Sequence, residues 1–193
     1  MKQVKSRTTN GYFIDVESGD ELARLIEQDR LITAQMGLFP APVHELFPLF
    51  GEQEYRVLDV ACGPGGWALE AAYQVPELEV IGVDIAPSMI EYAALRANTQ
   101  ERSNVSFEVM DITKPLTFRD ASFQYIHARF LVGFMQPAQW PPLMQECRRL
   151  LAPGGTLCLT ESEWPLTNSR AYEQLKRMVT RALWLNTQCL SPD

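Results

Sequence analysis

A glycine-containing loop and three aspartates are the residues of this sequence whose types and spacing best suit ligand chemistry. The loop runs from Ala61 to Gly66 and follows a short apolar segment that ends at Val60. Glycines placed directly after a strand let a ligand approach the backbone, because no Cβ obstructs it. The loop is not a P-loop, since no Lys-Ser or Lys-Thr pair follows it.

The three aspartates lie at the ends of three successive apolar segments. Asp59 precedes the loop, Asp84 closes the second segment and Asp111 follows the third. A carboxylate inside a strand is costly to bury unless it is paired or hydrogen-bonded. An anionic pyrophosphate has no need of such an acid, whereas a ligand with ammonium and sulfonium groups does, and Asp84 can accept both hydroxyls of a ribose. The acids therefore favour a cationic adenosyl ligand over a phosphate.

Other interpretations of the same residues stay open at this point. Asp59 could bind loop amides, Asp84 could cap the following helix and Asp111 could begin a turn. The loop glycines, followed by Ala68, also fit the dinucleotide fingerprint, so an NAD(P)-dependent oxidoreductase is one alternative function. A cofactor-binding module without catalysis is another.

Strand-like and helix-like segments alternate along the chain, and these segments must position the glycine-containing loop and the three aspartates. Such alternation predicts parallel strands, right-handed crossovers and ligands at the carboxyl ends of the strands. The expected fold is α/β, with a doubly wound, mostly parallel, Rossmann-like sheet and helices on both faces. The predicted strands are 56–61, 79–84, 105–109, 122–128 and 156–160, and the predicted helices are 18–36, 43–50, 67–72, 87–98, 139–151 and one from 168 onward.

Capping residues, prolines and glycines predict where the helices begin and end. Two segments have the spacing of a capping box, and an asparagine is expected to cap the last helix. The Pro-Gly-Gly at 153–155 is expected to stop the preceding helix. The predicted capping residues are Ser18 with Glu21, Ser88 with Glu91, and Asn168.

Composition restricts the class of protein. The 193 residues are 46% hydrophobic and carry a formal net charge of -7, a sign that repels nucleic acid. No apolar stretch reaches the ~20 residues of a membrane helix. The four cysteines are scattered, with no C-x-x-C pair, which argues against a zinc site or a disulfide framework. We expect a cytoplasmic protein without a metal, a nucleic-acid partner or a membrane.

Residues 55–161 resemble the class I S-adenosylmethionine-dependent methyltransferases, particularly the broad small-molecule group. The matching segments are 57–65, 82–89, 110–112 and 148–155. Residues 21–28 also resemble the leading helix of one branch of the family, which lies over the cofactor. Residues 127–131 resemble the same branch after its fourth strand.

The resemblance implies S-adenosylmethionine as cofactor, S-adenosylhomocysteine as product and a small-molecule acceptor. It implies that the loop 61–65 holds the methionine part and that Asp84 holds the ribose. Asp111 would fix the adenine edge, and Arg129 would lie near the methionine carboxylate or the acceptor. The implied cofactor-binding residues are Asp59, Ala61, Cys62, Gly63, Gly65, Asp84, Ile85, Met89, Asp111, Ile112 and Arg129.

The sequence departs from the family pattern in two ways. Ala61 stands where the family usually has its first glycine, and its methyl group is expected to tighten the loop. The antiparallel strands that normally end the family's sheet are missing, so we expect a truncated fold whose fifth strand is an exposed edge, with a homo-oligomer as one means of covering it. The predicted domains are a helical cap over the cofactor site (1–50), the cofactor-binding core (51–165) and a C-terminal helix (166–193).

The catalytic residue and the acceptor atom stay unassigned. Methyl transfer is an in-line displacement at a sulfonium methyl group, so the protein needs a base only when the acceptor must lose a proton. His127 is a candidate base because it lies near a strand end and titrates near neutrality, with a partly buried strand residue as the alternative. Glu161 and Glu163 could face the acceptor or be solvated loop acids.

Overall fold

The computed structural model describes residues 18–41, 45, 55–162 and 168–185. Its strands are β1 (Tyr55–Val60), β2 (Leu78–Asp84), β3 (Val105–Val109), β4 (Phe123–Arg129) and β5 (Leu151–Thr160). Its helices are α1 (Gly19–Met36), α2 (Gly66–Gln74), α3 (Pro87–Thr99), α4 (Trp140–Leu150) and α5 (Arg170–Leu185), with two 3-10 turns at Leu131–Gly133 and Pro137–Gln139. The predicted helix at 43–50 lies outside the described residues, except for Glu45.

The strands form one sheet whose order is β3-β2-β1-β4-β5, and every neighbouring pair is parallel. The chain builds outward from β1 to β3 and then continues on the other side of β1 with β4 and β5. The order therefore reverses between β1 and β4, which is where ligands bind in open parallel sheets. The predicted doubly wound α/β fold is confirmed.

Alternate side chains of β1 pack on opposite faces of the sheet, as strand geometry requires. Val57 is buried in one core layer with Trp67 of α2, whereas Leu58 is buried in the other with Leu143 of α4. Both faces are thus covered by helices. Asp59 has the same parity as Val57, so its carboxylate points towards the α2 face.

The predicted capping box is half formed at the start of α1 and absent at the start of α3. At α1 the Ser18 hydroxyl accepts the N–H of Glu21 at 3.1 Å, whereas the Glu21 carboxylate accepts from Arg24. At α3 the N-cap residue is Ala86, and no side chain caps the helix, so the predicted box at Ser88 is wrong. The helix begins at Pro87 instead, because the fixed φ of proline suits a first helical position.

The C-terminal half differs from the prediction at two places. Residues 153–155 do not end a helix, because α4 already ends at Leu150 and they lie within β5. The register between β4 and β5 shifts there, and this irregularity accommodates a proline and glycines that fit a regular ladder poorly. At α5 the Ser169 hydroxyl accepts the N–H of Tyr172 at 3.3 Å, so the N-terminal capping group comes from Ser169 and not from Asn168.

Within the parts of the chain that the structure describes, no helix is both long enough and apolar enough to cross a bilayer.

Arg149 of α4 holds the loop that follows β3. Its guanidinium donates to the carbonyl oxygens of Phe118 at 2.9 Å and Leu116 at 3.1 Å, and it pairs with Asp120 at 2.6 Å. Its other partner is Glu146 at 2.5 Å, and that carboxylate also accepts the N–H of Leu116 at 2.7 Å. The hydrogen bonds that Arg149 donates to the two carboxylates raise its pKa, so the guanidinium stays cationic.

We expect Arg149→Met to lower the free energy of unfolding by ~2–3 kcal/mol, because hydrogen bonds to a charged group are lost and carbonyl groups lose their donor. Urea denaturation measures the change. The matched control is Arg148→Met on the exposed face of the same helix, which is expected to change stability by less than ~0.5 kcal/mol. Equal losses in the two variants would contradict the clamp.

Candidate functional site

A cavity of about 1050 Å³ opens at the carboxyl ends of the strands and is bordered by α1. It collects the loops that follow β1, β2, β3 and β4, as the switch in strand order predicts. Gly65 is the one implied cofactor-binding residue that does not line it. The implied residues that do line it are Asp59, Ala61, Cys62, Gly63, Asp84, Ile85, Met89, Asp111, Ile112 and Arg129.

Asp59 is buried and hydrogen-bonded to a histidine on the neighbouring strand. Its Oδ1 lies 2.8 Å from Nδ1 of His127, and each side chain is only 5% exposed. A carboxylate can only accept, so Nδ1 carries the proton in this bond. Trp67 stacks on the imidazole with ring centroids 3.8 Å apart and an interplanar angle of 10°. The acid that was costly to bury thus has a partner, although the partner is a side chain and not a loop amide.

This arrangement argues against His127 as a base for the acceptor. Its Nδ1 faces Asp59, its ring is covered by Trp67, and it is not among the residues that line the cavity. His127 is therefore a buried strand residue that holds Asp59.

Glu161 holds the loop after β4. Its carboxylate accepts the N–H groups of Leu131 at 2.9 Å and Val132 at 3.2 Å. Burial raises the pKa of Glu161, and these two N–H groups oppose the rise. Glu161 therefore shapes the cavity wall from behind, and Glu163 lies outside the described residues.

Asp84 connects the glycine-containing loop to the start of α3. One carboxylate oxygen accepts the N–H of Gly63 and the other accepts the N–H of Ala86, both at 2.9 Å. Burial raises the pKa of Asp84, while the backbone N–H groups of Ala86 and Gly63 oppose the rise. Asp84 therefore ties the loop to Ala86, the residue before α3, but it does not cap the helix as the structural alternative proposed. Each oxygen also keeps a second acceptor position, so a ribose can still bind.

Asp111 begins a turn at the rim of the cavity. One oxygen accepts the N–H and the hydroxyl of Thr113 at 3.0 and 2.6 Å, and the other lies 3.0 Å from Nζ of Lys114. Partial burial raises the pKa of Asp111, but the bonds from Thr113 and Lys114 outweigh it and leave the pKa below its usual value. Asp111 is therefore ionised at neutral pH and held in place.

The loop after β1 contains three residues with left-handed backbone. The φ angles are +55° at Ala61, +52° at Gly63 and +72° at Gly65. A Cβ added at Gly63 would meet no atom within 4 Å, so the backbone there is open towards the cavity. A Cβ at Gly65 would lie 2.7 Å from the Phe107 ring, which assigns Gly65 to packing and not to ligand contact.

Burial raises the pKa of the Cys62 thiol, and the nearby Asp59 and Asp84 raise it further, so Cys62 stays protonated at neutral pH. The described residues contain no group of three or more His, Cys, Asp and Glu side chains placed to hold a metal ion.

Sequence reasoning missed the residues that attach α1 to the sheet. The Arg129 guanidinium at the end of β4 pairs with Asp29 and donates to the Thr33 hydroxyl at 3.1 Å. Burial raises the pKa of Asp29, and the charge of Arg129 opposes the rise. A signal was present, because Leu25, Asp29 and Thr33 recur every fourth residue on one helix face.

Strain at Ala61 predicts that a glycine there stabilises the fold. We expect Ala61→Gly to raise the free energy of unfolding by ~0.5–1 kcal/mol, because relief of a left-handed Cβ outweighs the greater freedom of glycine in the unfolded chain. Ala94→Gly within α3 is the control and should lower stability by ~1 kcal/mol. Thermal and urea unfolding of both variants measure the signs, and a loss of stability in Ala61→Gly would contradict the strain.

The sequence of this chain is similar to those of known proteins. A family model described as "Methyltransferase domain" matches residues 57–155, slightly more than half of the chain. A demethylmenaquinone methyltransferase from Deinococcus radiodurans is 38% identical over 106 residues, which cover 55% of this chain and 42% of that protein. The chain spans 30–50% of the length of the curated relatives it matches.

Solved structures share the fold. The PH0226 protein from Pyrococcus horikoshii OT3 is 27% identical, with a TM-score of 0.55 over 86% of this chain and 66% of that one. A SAM dependent methyltransferase from Aquifex aeolicus is 20% identical, with a TM-score of 0.56 over 90% of this chain and 88% of that one, and this likeness concerns the fold alone. The match of the family model to more than half of the sequence decides the assignment: the chain belongs to the methyltransferase domain family.

Proposed function

We propose that this chain binds S-adenosylmethionine in the cavity and transfers its methyl group to a small-molecule acceptor. Family membership supports the class I methyltransferase prediction and its cofactor. The observation that carries the proposal is the gathering of Asp59, Asp84 and Asp111 in one cavity beside an open glycine-containing loop. The same family membership counts against the oxidoreductase alternative.

The cavity wall fits the parts of an adenosyl ligand. Gly63 leaves room for the methionine part, and the buried Asp59 gives its ammonium and sulfonium charges a negative neighbour. Asp84 offers two oxygens to ribose hydroxyls at the end of β2. Ile85 and Ile112 line the same cavity and provide apolar surface for adenine.

S-adenosylmethionine supplies a methyl group bound to a positively charged sulfur. The acceptor's electron pair forms the new bond to the methyl carbon, the carbon–sulfur bond breaks, and its electron pair stays on sulfur, which becomes neutral. A proton carried by the acceptor leaves to water. The protein's part is to align the acceptor with the methyl group and to exclude water from the line of attack.

Titration calorimetry with S-adenosylhomocysteine tests the cofactor site. We expect micromolar binding by the wild type and at least ~100-fold weaker binding by Asp84→Ala, because the ribose contacts and the order of the loop are lost together. Glu108→Ala removes an exposed acid from the adjacent strand and should leave the affinity unchanged.

The remaining outcomes of that titration separate the alternatives. NAD binding in place of S-adenosylhomocysteine would favour the oxidoreductase. S-adenosylhomocysteine binding without methyl transfer to any acceptor would favour the non-catalytic binding module. Equal affinities for wild type and Asp84→Ala would place the ligand elsewhere.

Cofactor affinity should weaken on acidification. Because burial raises the pKa of Asp84 above its usual 3.8, the carboxylate is lost at a higher pH than an exposed aspartate would be. Less of the ionised Asp84 is therefore available to the ribose as the pH falls. Dissociation constants measured between pH 7 and pH 4 should rise for the wild type and stay nearly flat for Asp84→Asn. A constant wild-type affinity across this range would contradict the role of Asp84.

A further inference from the structure

We propose that the acceptor is an uncharged aromatic compound, larger than an amino acid, that binds where the cavity extends past the end of β4. This inference rests on the proposed function, since the cofactor must take the part of the cavity next to β1, β2 and β3. We call the remaining part the acceptor end. Its lining residues are Phe130, Val132, Gly133, Phe134, Gln136, Gln139, Ser162, Tyr172 and Val179.

The cavity extends beyond the residues expected to hold the cofactor. It measures about 1050 Å³, at the upper end of the ~300–1,000 Å³ that is usual for ligand sites. An adenosyl ligand along β1 to β3 leaves the acceptor end free for a second molecule. Its methionine part would lie by the loop after β1, whose neighbour in the sheet is β4, so the methyl group would face that end.

The residues at the acceptor end are apolar or neutral. Phe134 and Val132 line it from the loop after β4, and Tyr172 and Val179 line it from α5. Apolar and aromatic walls with few polar groups are typical of sites for apolar ligands. Among the residues that the structure describes, those that line the acceptor end include no Lys, Arg, Asp or Glu.

The cationic side chains elsewhere in the cavity are already paired with carboxylates. Arg129 is paired with Asp29, and Lys114 is paired with Asp111. Arg24 is paired with Glu21. A zwitterionic or phosphorylated acceptor would have to break one of these pairs or enter without a counter-charge, and burying an uncompensated ion is very costly.

The glutamines of the acceptor end are also partly engaged. Gln139 and Gln136 form a reciprocal capping box, in which the Gln139 side chain accepts the N–H of Gln136 at 2.7 Å. Their amide groups therefore have reduced capacity to bind a polar substrate, which favours a substrate that needs few hydrogen bonds.

The wall of the acceptor end is held in place before any ligand binds. Phe130 has left-handed backbone at φ +59°, a conformation that is strained in any residue with a Cβ and persists only where the surroundings enforce it. The Glu161 carboxylate fixes the two following N–H groups. A preformed apolar wall suits a flat, rigid ring, because little entropy is lost in ordering either partner.

The test compares an uncharged aromatic probe with a charged aromatic probe and a zwitterionic aliphatic probe. Calorimetry with protein saturated by S-adenosylhomocysteine is carried out with 2-naphthol, 2-naphthoate and phosphoethanolamine as probes. We expect 2-naphthol to bind at least 10-fold more tightly than 2-naphthoate, and phosphoethanolamine not to bind. Val179→Asp should weaken 2-naphthol binding more than 10-fold and leave the S-adenosylhomocysteine affinity unchanged. Met178→Asp, at a neighbouring position that is 71% exposed, is the matched control and should change neither.

Three results would overturn the inference while leaving the cofactor site intact. The first is tighter binding of either charged probe than of 2-naphthol. The second is S-adenosylhomocysteine binding with no binding of any probe, and the third is 2-naphthol binding that Val179→Asp does not weaken. Failure of S-adenosylhomocysteine itself to bind the folded wild type would instead overturn the proposed function, and this inference with it.

Discussion

The hydrogen bond between Asp59 and His127 joins the two strands between which the order of the sheet reverses. It allows a carboxylate to lie inside a parallel sheet, where an unpaired one would be very costly. Trp67 covers the imidazole, and its indole N–H donates to the carbonyl of Leu38 at 2.9 Å. These three contacts together connect β1, β4, α2 and the segment after α1, and the loop that opens onto the cavity begins directly beside Asp59.

Two further contacts position the loop and the helix that border the cavity. Asp84 holds the N–H of Gly63 and so ties the end of β2 to the loop after β1. Arg129 holds Asp29 and so ties the end of β4 to the helix that borders the cavity. Burial raises the pKa of Asp84 and of Asp29, which means that ionising them in the folded protein costs stability at neutral pH. Such a cost is expected at a binding site, where a charged group is kept for its ligand.

Local patterns in the sequence predicted most of the fold. The apolar runs placed all five strands close to their observed positions, and alternation with helices gave a parallel sheet. The wrong predictions concern places where two local structures fit the sequence equally well. One is the cap of α5, which comes from Ser169 and not from the neighbouring Asn168. Another was the Pro-Gly-Gly at 153–155, which a bulged strand accommodates as readily as a helix end would.

The sequence predicted individual residues of the site but not the contacts between them. The acids at strand ends were found because strand ends converge, but their partners were not. Asp59 binds a residue 68 positions away and Arg129 binds one 100 positions away, and no spacing rule reaches that far. The resemblance to a family implied which residues bind the cofactor, but it left most of the acceptor end unassigned, since apart from Phe130 that end is built from segments that the resemblance does not cover.

The most direct test of the proposed cofactor site is a crystal structure of this chain with S-adenosylhomocysteine. We expect the ribose hydroxyls within hydrogen-bonding distance of the Asp84 carboxylate, adenine against Ile85 and Ile112, and the thioether sulfur on the side of Asp59, with the Asp59–His127 bond unchanged. A ligand bound outside this cavity, or inside it with no contact to Asp84, would contradict the proposed site.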